Sequence, residues 1–84
     1  MYDARVTLFR IVNHNTRYYT LHLCKTLFGE YMLIKINGSM KNTRPTRVIK
    51  EHYKSATEAM DAYKKKLQEK YKKGYSLELK REVN

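Results

Sequence analysis

The sequence predicts an α+β fold: an antiparallel sheet of about four strands, connected as a meander, with one amphipathic helix packed on one face. Three observations predict it. Residues 17–24, RYYTLHLC, alternate in the period-two pattern of a half-buried strand. The β-branched and apolar stretches before residue 54 are separated by short, turn-rich connections, which join antiparallel rather than parallel neighbours. After Ser55 the apolar spacing changes to three and four residues, the period of a helix.

The first strand is expected over residues 6–12, VTLFRIV, and ends at the turn-forming run Asn13-His14-Asn15. In the second, residues 17–24, Tyr19, Leu21 and Leu23 share one face, and Tyr18, Thr20, His22 and Cys24 share the other. KTLFGE turns the chain, with Gly29 free to take a positive φ. Residues 31–36, YMLIKI, form the third strand. Asn37-Gly38 then carries the strongest short turn signal, although the connection runs on through Ser39, Met40, Lys41 and Arg44. Pro45 lies in that loop, where its missing N–H does little harm, and residues 46–53, TRVIKEHY, form the fourth strand.

Ser55 followed by Glu58 is a capping box and starts the helix. Ala56, Ala59, Met60, Tyr63, Leu67 and Tyr71 form its apolar stripe. Gly74 suits the C′ position that ends it, and Lys70, Lys72 and Lys73 complement the negative end of the helix dipole. Residues 76–84 read as a tail or a short final strand at Leu77–Leu79. Residues 1–84 thus read as a single domain with its core within about 6–75.

Charge narrows the function. Lysine and arginine number 18 against 8 aspartates and glutamates, a formal net charge of +10 with a pI near 9.8. A folded domain this basic attracts polyanions. Cys24 is the single cysteine, so no internal disulfide forms, in keeping with a reducing cytoplasm. The first residues lack the pattern of a signal peptide and no apolar run is long enough to cross a bilayer, so no membrane role is expected.

Catalytic constellations are lacking. His22 and Cys24 lie on one strand face, but i, i+2 neighbours stand about 7 Å apart and rarely touch as nucleophile and base must. His22 and Cys24 with His14 or His52 lack metal-ligand spacing. No glycine-rich phosphate loop is present, Glu58 is committed to capping and Asp61 lies on the wet helix face. No enzymatic activity, cofactor or metal is expected.

The basic residues cluster. Lys35, Lys41, Arg44 and Arg47 surround Asn37 and Ser39 in the third connection, and Lys66, Lys70 and Lys73 share one side of the helix. Arginine forks, lysines, backbone amides and small polar side chains are the usual donors to phosphate and sugar. The helix group reads equally well as a solvated surface; the loop group favours binding, because a polar hairpin loop alone does not account for both Arg44 and Arg47.

NTRYYTLHL (15–23), LFGEYMLIKINGSM (27–40) and SATEAMDAYKKKLQEKYKKGY (55–75), in this order and spacing, resemble the WGR domain found in poly(ADP-ribose) polymerases and small bacterial proteins. The resemblance implies the meander-and-helix fold and a non-catalytic binding module. At the positions of the Trp-Gly-Arg triplet stand Asn37, Gly38 and Ser39. In relatives that sense DNA breaks, the triplet's aromatic and guanidinium contact the duplex end. Asn37 and Ser39 can donate hydrogen bonds but neither stack nor fork.

The reading is a non-enzymatic nucleic-acid-binding module with sequence-independent phosphate contacts, DNA being favoured over RNA. Its site comprises Lys35, Asn37, Gly38, Ser39, Lys41, Arg44, Arg47, Lys66, Lys70 and Lys73. The alternative is a protein-interaction module of WGR type that has lost DNA-end recognition. A monomer or weak dimer is expected.

Overall fold

The computed structural model describes residues 3–77. Four strands, β1 (Asp3–Val12), β2 (Asn15–Lys25), β3 (Tyr31–Ser39) and β4 (Arg47–Tyr53), form one antiparallel sheet in the order β1-β2-β3-β4. Helix α1 (Ala56–Lys72) follows. The expected α+β meander is therefore the fold.

Each connection has a local cause. Asn13 and His14 both have positive φ, 50° and 65°, and Val12 pairs with Asn15. This is a two-residue hairpin loop whose primed geometry matches the twist of the strands. Between β2 and β3, Gly29 takes φ +83°, and the Thr26 hydroxyl accepts from the amides of Phe28 and Glu30. At the helix N-terminus the Ser55 hydroxyl accepts from the Glu58 amide at 3.2 Å. At the C-terminus Lys73 is the cap and Gly74 takes φ +98°. The amides of Gly74 and Tyr75 donate to the carbonyls of Tyr71 and Lys70, the two bonds of a Schellman motif.

Cross-strand register sorts the side chains onto two faces. The helix-side face takes Ala4, Val6, Leu8 and Arg10 from β1, Arg17, Tyr19, Leu21 and Leu23 from β2, and Leu33, Lys35, Asn37 and Ser39 from β3. Leu8, Leu21, Leu23, Leu33 and Ala59 are essentially inaccessible and form the core with Tyr19. Each buried leucine contributes about 1.5–3 kcal/mol through removal of apolar surface from water. On the other, open face, Thr20 is buried and its hydroxyl lies 2.9 Å from that of Thr7.

Three expectations are corrected. Asn37-Gly38 does not turn the chain: β3 continues through Ser39, and the turn starts at Met40. Gly38 is required for space instead. A Cβ there would lie 2.8 Å from Tyr18 Oη and 3.2 Å from Pro45 Cα, so this glycine serves a close approach across the sheet. Second, Tyr71 is exposed and Tyr75 packs on the core in its place. A strict four-residue step drifts about 40° per turn around a helix, which carries Tyr71 off the buried stripe that Ala59, Tyr63 and Leu67 begin. Third, the strands run longer than expected, β1 from Asp3 and β2 from Asn15. Ser76 makes a two-bond antiparallel bridge with Phe9 on the outer edge of β1. Of the short strand expected at Leu77–Leu79, Leu77 is exposed and lies in a bend rather than a strand, and residues 78 and 79 lie outside the described residues.

Candidate functional site

The topology brings five segment ends to one end of the molecule. There β1 and β3 finish, β2 and β4 begin, and α1, antiparallel to β4, reaches its C-terminus beside Tyr19. On the helix-side face, Arg10 pairs directly with Arg17, and Arg17 with Ser39. One rung further in, Tyr19 pairs with Asn37 and Asn37 with Arg47. Lys41 and Arg44 stand exposed in the adjoining connection, where the Ser39 hydroxyl accepts from the Lys41 amide at 3.3 Å.

Arg10, Arg17, Lys41, Arg44, Arg47 and Lys73 have no carboxylate partner among the described residues. Like charges directly opposed in a sheet are destabilising, and Arg10 and Arg17 are so opposed. Arg10 is held by other means. Its guanidinium carbon lies 6.0 Å from the Tyr75 ring centroid, and its side chain runs past Gly74 at the negative end of the helix.

Lys70 is a helix cation that lies on the sheet. Its Nζ is 4.1 Å from the Tyr19 ring centroid and 5.4 Å from that of Tyr75, and the two rings meet edge to face at 6.2 Å. Burial, and the positive charges of Lys73 and Lys66, hold the Lys70 ammonium below the usual lysine range. Burial, with the Glu51 carboxylate next, pushes the Tyr19 hydroxyl up to about 12. Tyr19 therefore stays neutral and offers its ring face to the cation.

Two of the expected basic residues are drawn away from this cluster. Lys35 Nζ lies 3.0 Å from Glu51 Oε1, and its side chain is only 13% exposed. Tyr53 Oη donates to the same carboxylate at 3.0 Å. The Lys35 hydrogen bond, followed by that of Tyr53, outweighs burial and holds Glu51 below the ordinary carboxylate range. Lys66 Nζ lies 2.9 Å from Glu69 Oε2, and that contact lowers the Glu69 pKa. Lys66, Lys70 and Lys73 do share a side of α1, but for Lys66 and Lys70 it is the side that turns toward the sheet. Gly38 is buried within β3.

Arg10, Arg17, Tyr19 and Tyr75 are additions to the set expected from sequence. The signal for the arginines lay in the hairpin: a two-residue loop at Asn13-His14 makes Arg10 and Arg17 direct partners. His22 is drawn elsewhere, its Nε2 lying 2.7 Å from Asp3 Oδ1. Among the described residues no group of three or more His, Cys, Asp or Glu side chains is arranged to hold a metal ion, and no helix is long and apolar enough to cross a membrane.

Comparison with known proteins gives one family and no individual relative. No curated protein and no solved structure matches the chain. The pattern of the WGR domain matches residues 2–82, nearly the whole sequence. With a four-stranded antiparallel meander and one packed helix behind that match, the chain belongs to the WGR domain family, a non-catalytic interaction module.

Proposed function

We propose that this domain binds nucleic acid through backbone phosphates, DNA before RNA, at the end where β1, β3 and α1 finish. The observation that carries the reading is the gathering of six cations that form no salt bridge among the described residues, Arg10, Arg17, Lys41, Arg44, Arg47 and Lys73, around Asn37 and Ser39. Unpartnered guanidinium groups keep their donors free for phosphate oxygens. Each phosphate neutralised releases condensed counterions, so binding is entropically driven at low salt.

Asn37-Gly38-Ser39 occupies the place of the Trp-Gly-Arg triplet in this reading. The aromatic that would stack on a duplex end is absent. The guanidinium is supplied by neighbours, since Arg17 is the cross-strand partner of Ser39 and Arg10 stands beside Arg17. Contact is therefore with the backbone and independent of sequence. Lys35 and Lys66, each held by a carboxylate, contribute field rather than direct contacts.

The test is a salt titration with a labelled duplex. The slope of log K against log salt should be near −0.9 per phosphate contacted. Arg10→Ala with Arg17→Ala, and separately Arg44→Ala with Arg47→Ala, should each flatten the slope by about 2 and leave the melting temperature of the domain within a few degrees. A flat salt dependence, or no binding at low salt, overturns the reading.

A second reading, docking to another protein, is favoured by one observation. Leu27 and Phe28 are fully exposed on the β2–β3 turn, which is closed by the Thr26 amide donating to the Glu30 carbonyl at 2.7 Å. That turn is at the opposite end of the sheet, roughly 30 Å from the arginines by strand geometry. Leu27→Ser with Phe28→Ser should leave duplex affinity unchanged; a parallel loss would place both readings on one surface.

A further inference from the structure

The arginine cluster uses the helix-side face of the sheet and leaves the open face unassigned. Its rungs include Phe9–Tyr18–Gly38, Thr7–Thr20–Ile36–Val48, Arg5–His22–Ile34–Lys50 and Asp3–Cys24–Met32–His52. Among the described residues no helix covers this face. Phe9 and Tyr18 are direct cross-strand partners, both half-buried, and about 5 Å separates their strands.

Gly38 determines how Tyr18 lies. The position a Cβ would take on Gly38 is 2.8 Å from Tyr18 Oη and 3.0 Å from Tyr18 Cζ. The ring therefore extends across the sheet over β3 instead of standing away from it. Any larger residue at 38 would lift it. Pro45 reaches the same spot from the β3–β4 connection.

The charge on this face is positive. Arg5 and Lys50 belong to it by register, and neither has a carboxylate partner among the described residues. Its one described carboxylate, Asp3, is taken up by His22 at 2.7 Å. A second copy of the chain would bring two cationic faces together on molecules of formal charge +10. An acidic peptide would satisfy the cations but leave the two rings without planar partners. A single-stranded nucleic acid supplies both, since bases stack on aromatic side chains while phosphates meet lysine and arginine.

We propose that the open face is a stacking platform for single-stranded nucleic acid, with bases on Phe9 and Tyr18 and backbone phosphates on Arg5 and Lys50. This goes beyond the phosphate-binding reading and does not depend on it, because the two use opposite faces of the sheet.

The test compares a twelve-residue oligothymidylate with a duplex of equal length. Phe9→Leu with Tyr18→Leu should weaken oligothymidylate binding about tenfold or more and leave duplex binding unchanged. Arg10→Ala with Arg17→Ala should weaken the duplex selectively. Tyr18→Phe keeps the ring and should hold oligothymidylate affinity within about twofold. An amide-shift titration of the unaltered domain keeps the proposal testable if the leucine variant does not fold: shifts at Thr7, Phe9, Tyr18, Ile36 and Gly38 support it. Shifts confined to the helix C-terminus and Arg17 overturn it. So does a decaglutamate peptide giving the same shifts with equal affinity, or a concentration-dependent mass in sedimentation with these amides at the interface.

Discussion

Lys70 Nζ sits 4.1 Å from the centroid of the Tyr19 ring, so the last turn of the helix is fastened to the sheet by a cation on an aromatic face. A partly desolvated contact of this kind is worth about 0.5–2 kcal/mol. A double-mutant cycle of Lys70→Met and Tyr19→Leu, read by urea denaturation, should give a favourable coupling of about 0.5–1 kcal/mol. Additive effects would mean that the geometry stores no interaction beyond packing.

Gly38→Ala should destabilise the domain by about 1–3 kcal/mol although its backbone is ordinary strand, because the added methyl meets the Tyr18 ring and the Pro45 backbone. Gly29→Ala differs in cause, since no atom lies within 4 Å and the cost there comes from φ +83° alone. Equal denaturation midpoints for Gly38→Ala and the unaltered domain would remove the close-approach explanation.

Tyr19 makes stability depend on alkaline pH. Its folded pKa, about 12, lies above the ordinary 10.0. Between those values the unfolded chain releases the phenolic proton while the native state retains it. Stability from this group is therefore complete below pH 10 and is lost as pH rises toward 12. Lys70, whose pKa is lowered by burial, acts with the opposite sign, so the informative quantity is a difference. Tyr19→Phe should show a shallower loss over this window than the unaltered domain; identical pH profiles would count against the assignment.

Glu51→Gln separates fold from charge. The carboxylate holds Lys35 and accepts from Tyr53, so its loss should cost about 1 kcal/mol, a modest figure because Glu51 is partly exposed. It also releases a lysine toward the basic end, so duplex affinity at low salt should rise. The contribution to stability that Glu51 makes in the native domain should fade in acid, below its ordinary 4.5, as the lowered folded pKa is crossed. An affinity that falls in step with stability would show that Lys35 is not restrained by this pair.

Much of the fold is legible without coordinates. Period-two alternation placed Tyr19, Leu21 and Leu23 together on one face, and all three are buried. Ser55, Gly29 and Gly74 mark a cap and two positive-φ positions where the chain uses them. These are short-range matters, decided by backbone sterics and by hydrogen bonds to neighbours a few residues away. The Asn37-Gly38 signal misled because a glycine can be required by space as well as by φ, and the space at 38 is set by Tyr18 and Pro45.

The basic end shows the same division. Composition established that the chain carries excess positive charge, and spacing located two of its concentrations, the β3–β4 connection and the helix terminus. Folding decided which cations remain available. Lys35 meets Glu51 across the β3–β4 pair, Lys66 turns toward Glu69, and Lys70 lies on Tyr19. Arg10 and Arg17 become a cluster only once β1 and β2 are in register with Ser39. The reason is one of range: conformational preference acts through bonded neighbours, whereas a charge is free or neutralised according to distances between residues that only the packed sheet and helix bring together.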